Sequence, residues 1–155
     1  MHIPPHLTVK THPNKGKTLH SKRAFQPNEV VLPVEYEEIR PFALASPWAL
    51  QIDDNKFLDT KEFVVGDYIN HSCDPTLKID FNRLTFVANK PIAPGDELTY
   101  NYHTTEFDLV RDRLDFTCHC GSKNCVGKVK GFKFLPQARK EQLLPLLPKF
   151  LRKKI

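Results

Sequence analysis

Tyr68-Ile69-Asn70-His71-Ser72-Cys73-Asp74-Pro75 is the stretch on which the reading of this chain turns. It sets an aromatic, a β-branched residue, an amide, an imidazole, a hydroxyl and a thiol side by side, then stops at Asp-Pro, a turn or loop signal. Polar groups this dense beside apolar ones need partners wherever they are buried. The segment is therefore either a binding loop or an unusual piece of core. Two later segments bear on that choice: Pro94-Gly95-Asp96-Glu97-Leu98-Thr99-Tyr100-Asn101-Tyr102 and Cys118-His119-Cys120.

The 155 residues suffice for one domain with a real core. Thirteen prolines and six glycines favour short strands and turns over long helices. No apolar run approaches the ~18–20 residues of a membrane span. The start, Met1-His2-Ile3-Pro4-Pro5, lacks the basic flank and apolar stretch of a secretory signal. The expectation is an intracellular protein, cytoplasmic or nuclear, with no membrane association. The net charge of +5 is uneven, with an acidic block at Glu35, Glu37, Glu38, Asp53, Asp54, Asp59, Glu62 and Asp67 and a basic stretch over residues 126–155. The acidic block suits a cationic substrate or is simply a solvated face. The basic stretch is solvated surface or, less commonly, a site for an anionic partner.

Residues 7–34 read as two short strands around a turn, with Gln26-Pro27-Asn28-Glu29 as a turn and Val30-Val31-Leu32 as a buried strand. Ala93-Pro94-Gly95-Asp96 repeats that turn, its Pro-Gly pair favouring type II. Residues 39–48 read as a loop or one short helix, and residues 49–60 as two strands around Asp53–Lys56. Residues 76–89 form the clearest hairpin: Leu77, Ile79 and Phe81 alternate, Asn82-Arg83 turns, and Leu84, Phe86 and Ala88 alternate back. Residues 97–102 read as a strand and the charged residues 106–117 as a helix. Pro136 opens a short helix carrying Leu143, Leu144, Leu146 and Leu147, interrupted by Pro145 and Pro148.

The four cysteines, Cys73, Cys118, Cys120 and Cys125, match the four ligands of a tetrahedral structural zinc site, three of them in Cys-x-Cys-x4-Cys. Gly121-Ser122 supplies a tight turn inside that knuckle. The alternatives are unrelated reduced thiols, with Cys73 a small buried hydrophobe, or His119 replacing one thiol. None of the six glycines forms G-x-G-x-x-G or a P-loop, so a Rossmann or P-loop nucleotide site is not expected.

In order and spacing, Asn70-His71-Ser72-Cys73, Glu97-Leu98-Thr99-Tyr100-Asn101-Tyr102 and Cys118-x-Cys120-x4-Cys125 resemble the SET-domain family of protein-lysine methyltransferases, in its minimal form with a post-SET zinc tail. The resemblance covers roughly residues 7–130. It implies a mostly β fold of several small curved sheets with a pseudoknot, in which the Asn70–Cys73 segment passes under a loop formed by the later tyrosine-bearing segment. It implies a SET catalytic domain over 7–117 and a post-SET zinc segment over 118–130; the residues beyond, 131–155, read as a basic tail with a short helix. Cys73 would join Cys118, Cys120 and Cys125 on one zinc ion. Lys15, Gly16, Asn70 and His71 resemble residues that hold S-adenosylmethionine, and Tyr102 resembles the tyrosine at the methyl-transfer site. Tyr100 and Tyr36 resemble tyrosines of the lysine channel. Thr18 stands where the family has glycine, His20 and Ser21 also depart, and Thr76 and Asn101 replace an asparagine and an aspartate.

The implied reaction is methyl transfer to a lysine side chain of a protein or peptide, stopping at one methyl because position 100 is tyrosine. The acceptor amine must be neutral although its ordinary pKa is ~10.4, which desolvation in a tyrosine-lined channel would favour. Two other readings stay open. One is a SET-like binding or scaffold protein without catalysis, which Thr18 and His20 favour. The other is a zinc module that binds nucleic acid through Lys149, Arg152, Lys153 and Lys154, although that tail lacks interleaved aromatics.

Overall fold

The computed structural model describes residues 1–155, which form two units. The first comprises Met1–Glu35, Glu62–Asn101 and His119–Cys125; the second comprises Tyr36–Lys61, Tyr102–Cys118 and Val126–Ile155. The architecture is mostly short strands, with two brief α-helices near the C-terminus. No helix is long and apolar enough to cross a membrane.

In the first unit, Leu7–His12 and Gly16–Ser21 pair antiparallel from Leu7↔Ser21 to His12↔Gly16. A three-stranded sheet runs in the order Val30–Pro33, Thr85–Ala88, Leu77–Asp80. The expected hairpin is therefore real, and its return strand is central. That position explains why Phe86, Val87 and Ala88 are all buried, beyond what alternation alone suggests. Val30 does not join the core as expected: it is 41% exposed, beside the register shift between Val30 and Leu32.

The two turns likened in the sequence share one construction. Glu29 N–H donates to Gln26 O at 3.0 Å and Asp96 N–H to Ala93 O at 3.2 Å. Asn28 and Gly95 take the positive φ, 68° and 94°. The carboxylates of Glu29 and Asp96 then accept the N–H of Gln26 and Ala93 at 2.9 and 2.8 Å. The preceding residues, Phe25 and Ile92, exchange two backbone hydrogen bonds of 3.0 Å, so the turns begin from one bridge.

The expected strand over 97–102 narrows to Thr99–Tyr100, because its parallel partner is only Asn70–His71. Thr99 faces Asn70, Tyr100 faces His71, and Ser72 N–H donates to Tyr100 O at 3.0 Å.

In the second unit, a three-stranded antiparallel sheet runs Glu38–Arg40, Lys56–Asp59, Leu50–Asp53, with the turn near Asp54-Asn55 as expected. Residues 39–48 contain a single 3-10 turn, Phe42–Leu44. Fully buried Asp59 organises this loop, accepting Ser46 N–H at 2.8 Å, Ser46 Oγ–H at 2.6 Å and Thr60 N–H at 2.9 Å. Burial alone would raise its pKa; the Ser46 and Thr60 hydrogen bonds and nearby Arg40 outweigh that and hold it below the ordinary value.

Residues 106–117 are not the helix their charge suggested. The N–H groups a helix would need are taken elsewhere: Phe107 donates to Gln51 Oε1 and Leu109 to Lys130 O, both at 3.0 Å. Arg113 sits at φ 58°, and the segment ends in Phe116–Thr117, antiparallel to Lys128–Val129. Pro136 does open a helix, Gln137–Leu143, followed by a 3-10 turn at Leu144–Leu146 and a second helix, Lys149–Arg152. Despite its charge this stretch has an apolar side. Phe132, Leu147, Phe150 and Leu151 form a buried cluster against Phe107, Leu135 and Leu143. Gly131, at φ 105°, lies under Phe107 so closely that a Cβ would stand 2.6 Å from the Phe107 carbonyl oxygen, which only glycine accommodates.

Candidate active site and metal centre

The short parallel pairing fixes Asn70 and His71 by their backbones, leaving their side chains to act. Asn70 Nδ2–H donates to Lys17 O at 2.9 Å. One side chain thus ties this strand to the segment carrying Lys15 and Gly16. Three stretches far apart in sequence meet here: residues 15–18, 70–71 and 97–100. Lys15 Nζ donates to Glu97 Oε2 at 2.7 Å, and Glu97 Oε1 is buried without a hydrogen-bond partner. A buried acceptor left open beside a lysine fits a place where a polar ligand completes the bonding. Gly16 has φ 72°, and a Cβ there would meet nothing within 4 Å, so its face is open. The same strand face continues as Thr18 and His20. Thr18 is buried, its Oγ1 lying 2.9 Å from His20 Nε2 and donating to Lys10 O at 3.3 Å. His20 Nδ1 lies 2.9 Å from Gly95 O. Because a carbonyl only accepts, Nδ1–H donates to Gly95 O, while Nε2 and Lys10 O both lie within reach of the single Thr18 hydroxyl. The substituted threonine is therefore turned into a hydrogen-bonded pair.

The three tyrosines have distinct settings. Tyr100 is half-buried in the first unit, its ring 5.6 Å from the core ring of Phe86. Tyr102 lies in the second unit, half-buried, with its ring edge-on to Phe116 at 5.9 Å. Tyr36, also in the second unit, donates its hydroxyl hydrogen to Trp48 O at 3.2 Å.

The sequence reading did not single out Gln51 or Glu106, yet they hold the backbone that follows Tyr102. The Tyr102 carbonyl accepts Thr105 N–H at 3.1 Å, Glu106 N–H at 2.7 Å and Thr105 Oγ1–H at 3.3 Å. Gln51, buried, accepts Phe107 N–H through Oε1 and donates Nε2–H to Asp53 O at 3.0 Å. Its own N–H donates to Glu106 Oε1 at 3.4 Å. Burial of the Glu106 carboxyl pushes its pKa up to about 7; Asp112 adds to this, while the bonds from Gln51 and Thr105 and the charge of Arg111 oppose it. His103 is driven the other way, down to about 4, by burial and then by Arg139. A lone glutamine in a strand gives no periodic signal, so neither partner was visible in advance.

The sulfur atoms of Cys73, Cys118, Cys120 and Cys125 all lie within 4.8 Å of one another. No disulfide joins them. His119 is exposed and outside this group. The knuckle is closed by Cys125 N–H donating to Ser122 O at 3.1 Å and Cys118 N–H to Gly127 O at 2.8 Å, with Gly121 and Gly127 at φ 71° and 73°. Four thiolates about 2.3 Å from a zinc ion stand roughly 3.8 Å apart, so this donor set needs only a small contraction to hold a metal ion.

The family model described as SET domain matches residues 16–103, more than half of the chain. The chain belongs to the SET-domain family. Among curated relatives, Methyltransferase flvH of Aspergillus flavus is 42% identical over 66 residues, covering 41% of this chain and 35% of the relative. An H3 lysine-36 specific histone-lysine N-methyltransferase of Mycosarcoma maydis is 34% identical over 89 residues, covering 53% of this chain and 9% of that one. The crystal structure of KRYPTONITE in complex with mCHG DNA and SAH superposes with a TM-score of 0.62 at 28% identity, over 79% of this chain and 28% of that one. A second KRYPTONITE structure, with SAH and an H3(1-15) peptide, gives a TM-score of 0.61 at 27% identity, over 79% of this chain and 29% of that one. The chain thus spans about a third or less of these matched relatives.

Proposed function

We propose that this chain is an S-adenosylmethionine-dependent protein-lysine methyltransferase that adds one methyl group to a lysine side chain. The observation that carries the reading is the meeting of residues 15–18, 70–71 and 97–100 through the parallel pair and the bond from Asn70 to Lys17 O. Relatives named as histone-lysine methyltransferases and structural neighbours holding SAH support it. Lys15, Gly16, Asn70 and His71 would hold the cofactor, with Glu97 Oε1 available to a donor group. When bound, S-adenosylmethionine supplies a methyl group on a positively charged sulfur. Tyr102 would orient the acceptor and accept weak C–H hydrogen bonds at the transferring carbon. Tyr100 and Tyr36 would line the path of the lysine and help exclude water, favouring the neutral amine. The acceptor belongs to a protein or peptide that presents lysine, since an H3 peptide occupies the second KRYPTONITE structure.

The thiol cluster is read as one structural zinc site, with Cys73, Cys118, Cys120 and Cys125 holding the tail segment in place. We also retain the expectation of an intracellular protein.

A specific observation keeps the scaffold reading alive: the Thr18–His20 pair fills part of the strand face that Gly16 leaves open. Calorimetry with S-adenosylmethionine separates the two readings, because a scaffold without the cofactor site gives no binding heat. Incubation with isotope-labelled S-adenosylmethionine and cell lysate, followed by mass spectrometry, then identifies acceptor lysines. Tyr102→Phe should lower turnover far more than cofactor affinity, because its hydroxyl acts mainly in the transition state. An unchanged turnover number would remove Tyr102 from that role.

A further inference from the structure

His71 lies on the strand of Asn70 and also touches the thiol cluster. Its ring is buried, and Nε2 lies 3.3 Å from Cys73 Sγ, within hydrogen-bonding range for sulfur. The backbone leaves the imidazole little freedom. His71 is paired with Tyr100, Ser72 N–H donates to Tyr100 O, and Asp74 N–H closes onto Ser72 Oγ at 3.1 Å. The ring is thus held against the sulfur by the strand and not by a mobile loop.

We propose that His71 is a positioning residue for the metal centre: its Nε2–H donates to the Cys73 thiolate and locks that sulfur toward the ion. The inference rests on the zinc reading of the four cysteines. A thiolate has no proton to give, so once a metal is bound the only hydrogen bond possible across this contact runs from nitrogen to sulfur. That assigns the proton to Nε2 in the loaded protein. Four thiolates around a divalent cation leave excess negative charge on sulfur, and a buried N–H aimed at one of them reduces it. Groups that hydrogen-bond metal ligands typically change affinity by about 10–100-fold when removed. The same contact couples the metal to the parallel strand pair that carries Asn70 and Tyr100. Loading one site therefore stiffens the other, and the coupling is reciprocal.

Cobalt(II) titration with zinc back-competition tests this without reference to activity. The unmodified protein should show intense sulfur-to-cobalt absorption from a four-thiolate site. His71→Phe keeps a ring of similar size but no donor. It should bind zinc roughly tenfold more weakly in chelator competition, and its sulfur-to-cobalt band should move to longer wavelength as the sulfur becomes more electron-rich. His71→Gln, which restores a donor, should recover part of both. Should His71→Phe fail to fold, long-range nitrogen–proton NMR of the zinc-loaded unmodified protein reads the imidazole directly and should show the proton on Nε2. Unchanged affinity and band position in His71→Phe, or a proton on Nδ1 only, would overturn the role of His71 while leaving the zinc site standing. Absence of any thiolate–cobalt absorption in the unmodified protein would overturn both.

Discussion

Glu106→Gln should stabilise the protein above neutral pH and leave it nearly unchanged in acid. In the fold, burial lifts the Glu106 carboxyl from 4.5 to about 7. A displacement of that size corresponds to about 3 kcal/mol of penalty on the ionised form. Unfolded chains ionise near the ordinary value, so the folded state binds the extra proton between about pH 4.5 and 7. Stability from this group is present below its unfolded pKa and is lost as pH rises through the folded one. Glutamine keeps an oxygen for the Gln51 N–H and never ionises. The expected gain is therefore near zero at pH 4.5 and grows to about 3 kcal/mol above pH 7, or roughly 6–12 °C in Tm for a chain this long. His103 behaves oppositely: its folded pKa of about 4 lies below its ordinary 6.5, so its contribution is lost as pH falls across that range. In the parent the two nearly cancel between about pH 4.5 and 6.5, where each state holds one proton on this pair. Glu106→Gln should uncover the acid loss that His103 causes, turning a flat profile into one that slopes. Denaturant melts at pH 4.5, 6 and 8 measure this. An equal ΔΔG at all three pH values would refute the buried-carboxyl argument.

Cys118→Ser should release zinc and cost the order of the knuckle, since structural zinc contributes directly to folding; metal analysis should fall from one zinc per chain, and a fully folded, metal-free parent in chelator would defeat it. Asn70→Ala should weaken S-adenosylmethionine binding by about 1–3 kcal/mol, because it removes a bond that joins two segments of the site; calorimetry showing parental affinity would place the cofactor elsewhere. Tyr100→Phe should shift products from monomethyl- toward di- and trimethyl-lysine: a hydroxyl there can hold a water in the space a second methyl would need. Abundant trimethyl-lysine from the unmodified enzyme on prolonged incubation would end that argument.

The legible parts of the sequence were those whose physics is local. Pro27-Asn28 and Pro94-Gly95 announce turns because proline fixes one φ and the next residue tolerates a positive one, and both turns formed with the same carboxylate closure. Three of the four clustered thiols lie close in sequence because a knuckle is a local object, and only Cys73 had to arrive from a distance. Residues 106–117 failed where charge suggested helix, because Gln51 and Lys130, remote in sequence, take the N–H groups of Phe107 and Leu109. The strand beyond Tyr100 failed likewise, since its length was set by a two-residue partner far back in the chain.

The candidate site shows that division most sharply. Asn70 and His71 stood out by composition, but what each side chain does depends on a neighbour no spacing rule predicts. Asn70 reaches Lys17 O only because a parallel pair carries it there, and His71 meets Cys73 because the strand turns immediately after Ser72. Two adjacent residues thus serve different partners, one toward the segment expected to hold the cofactor and the other toward the thiols. Substituting either perturbs both sites through the shared backbone, so losses of cofactor affinity and of metal affinity in this stretch should be coupled and not additive. The double variant Asn70→Ala/His71→Phe is therefore expected to lose less than the sum of the two single losses.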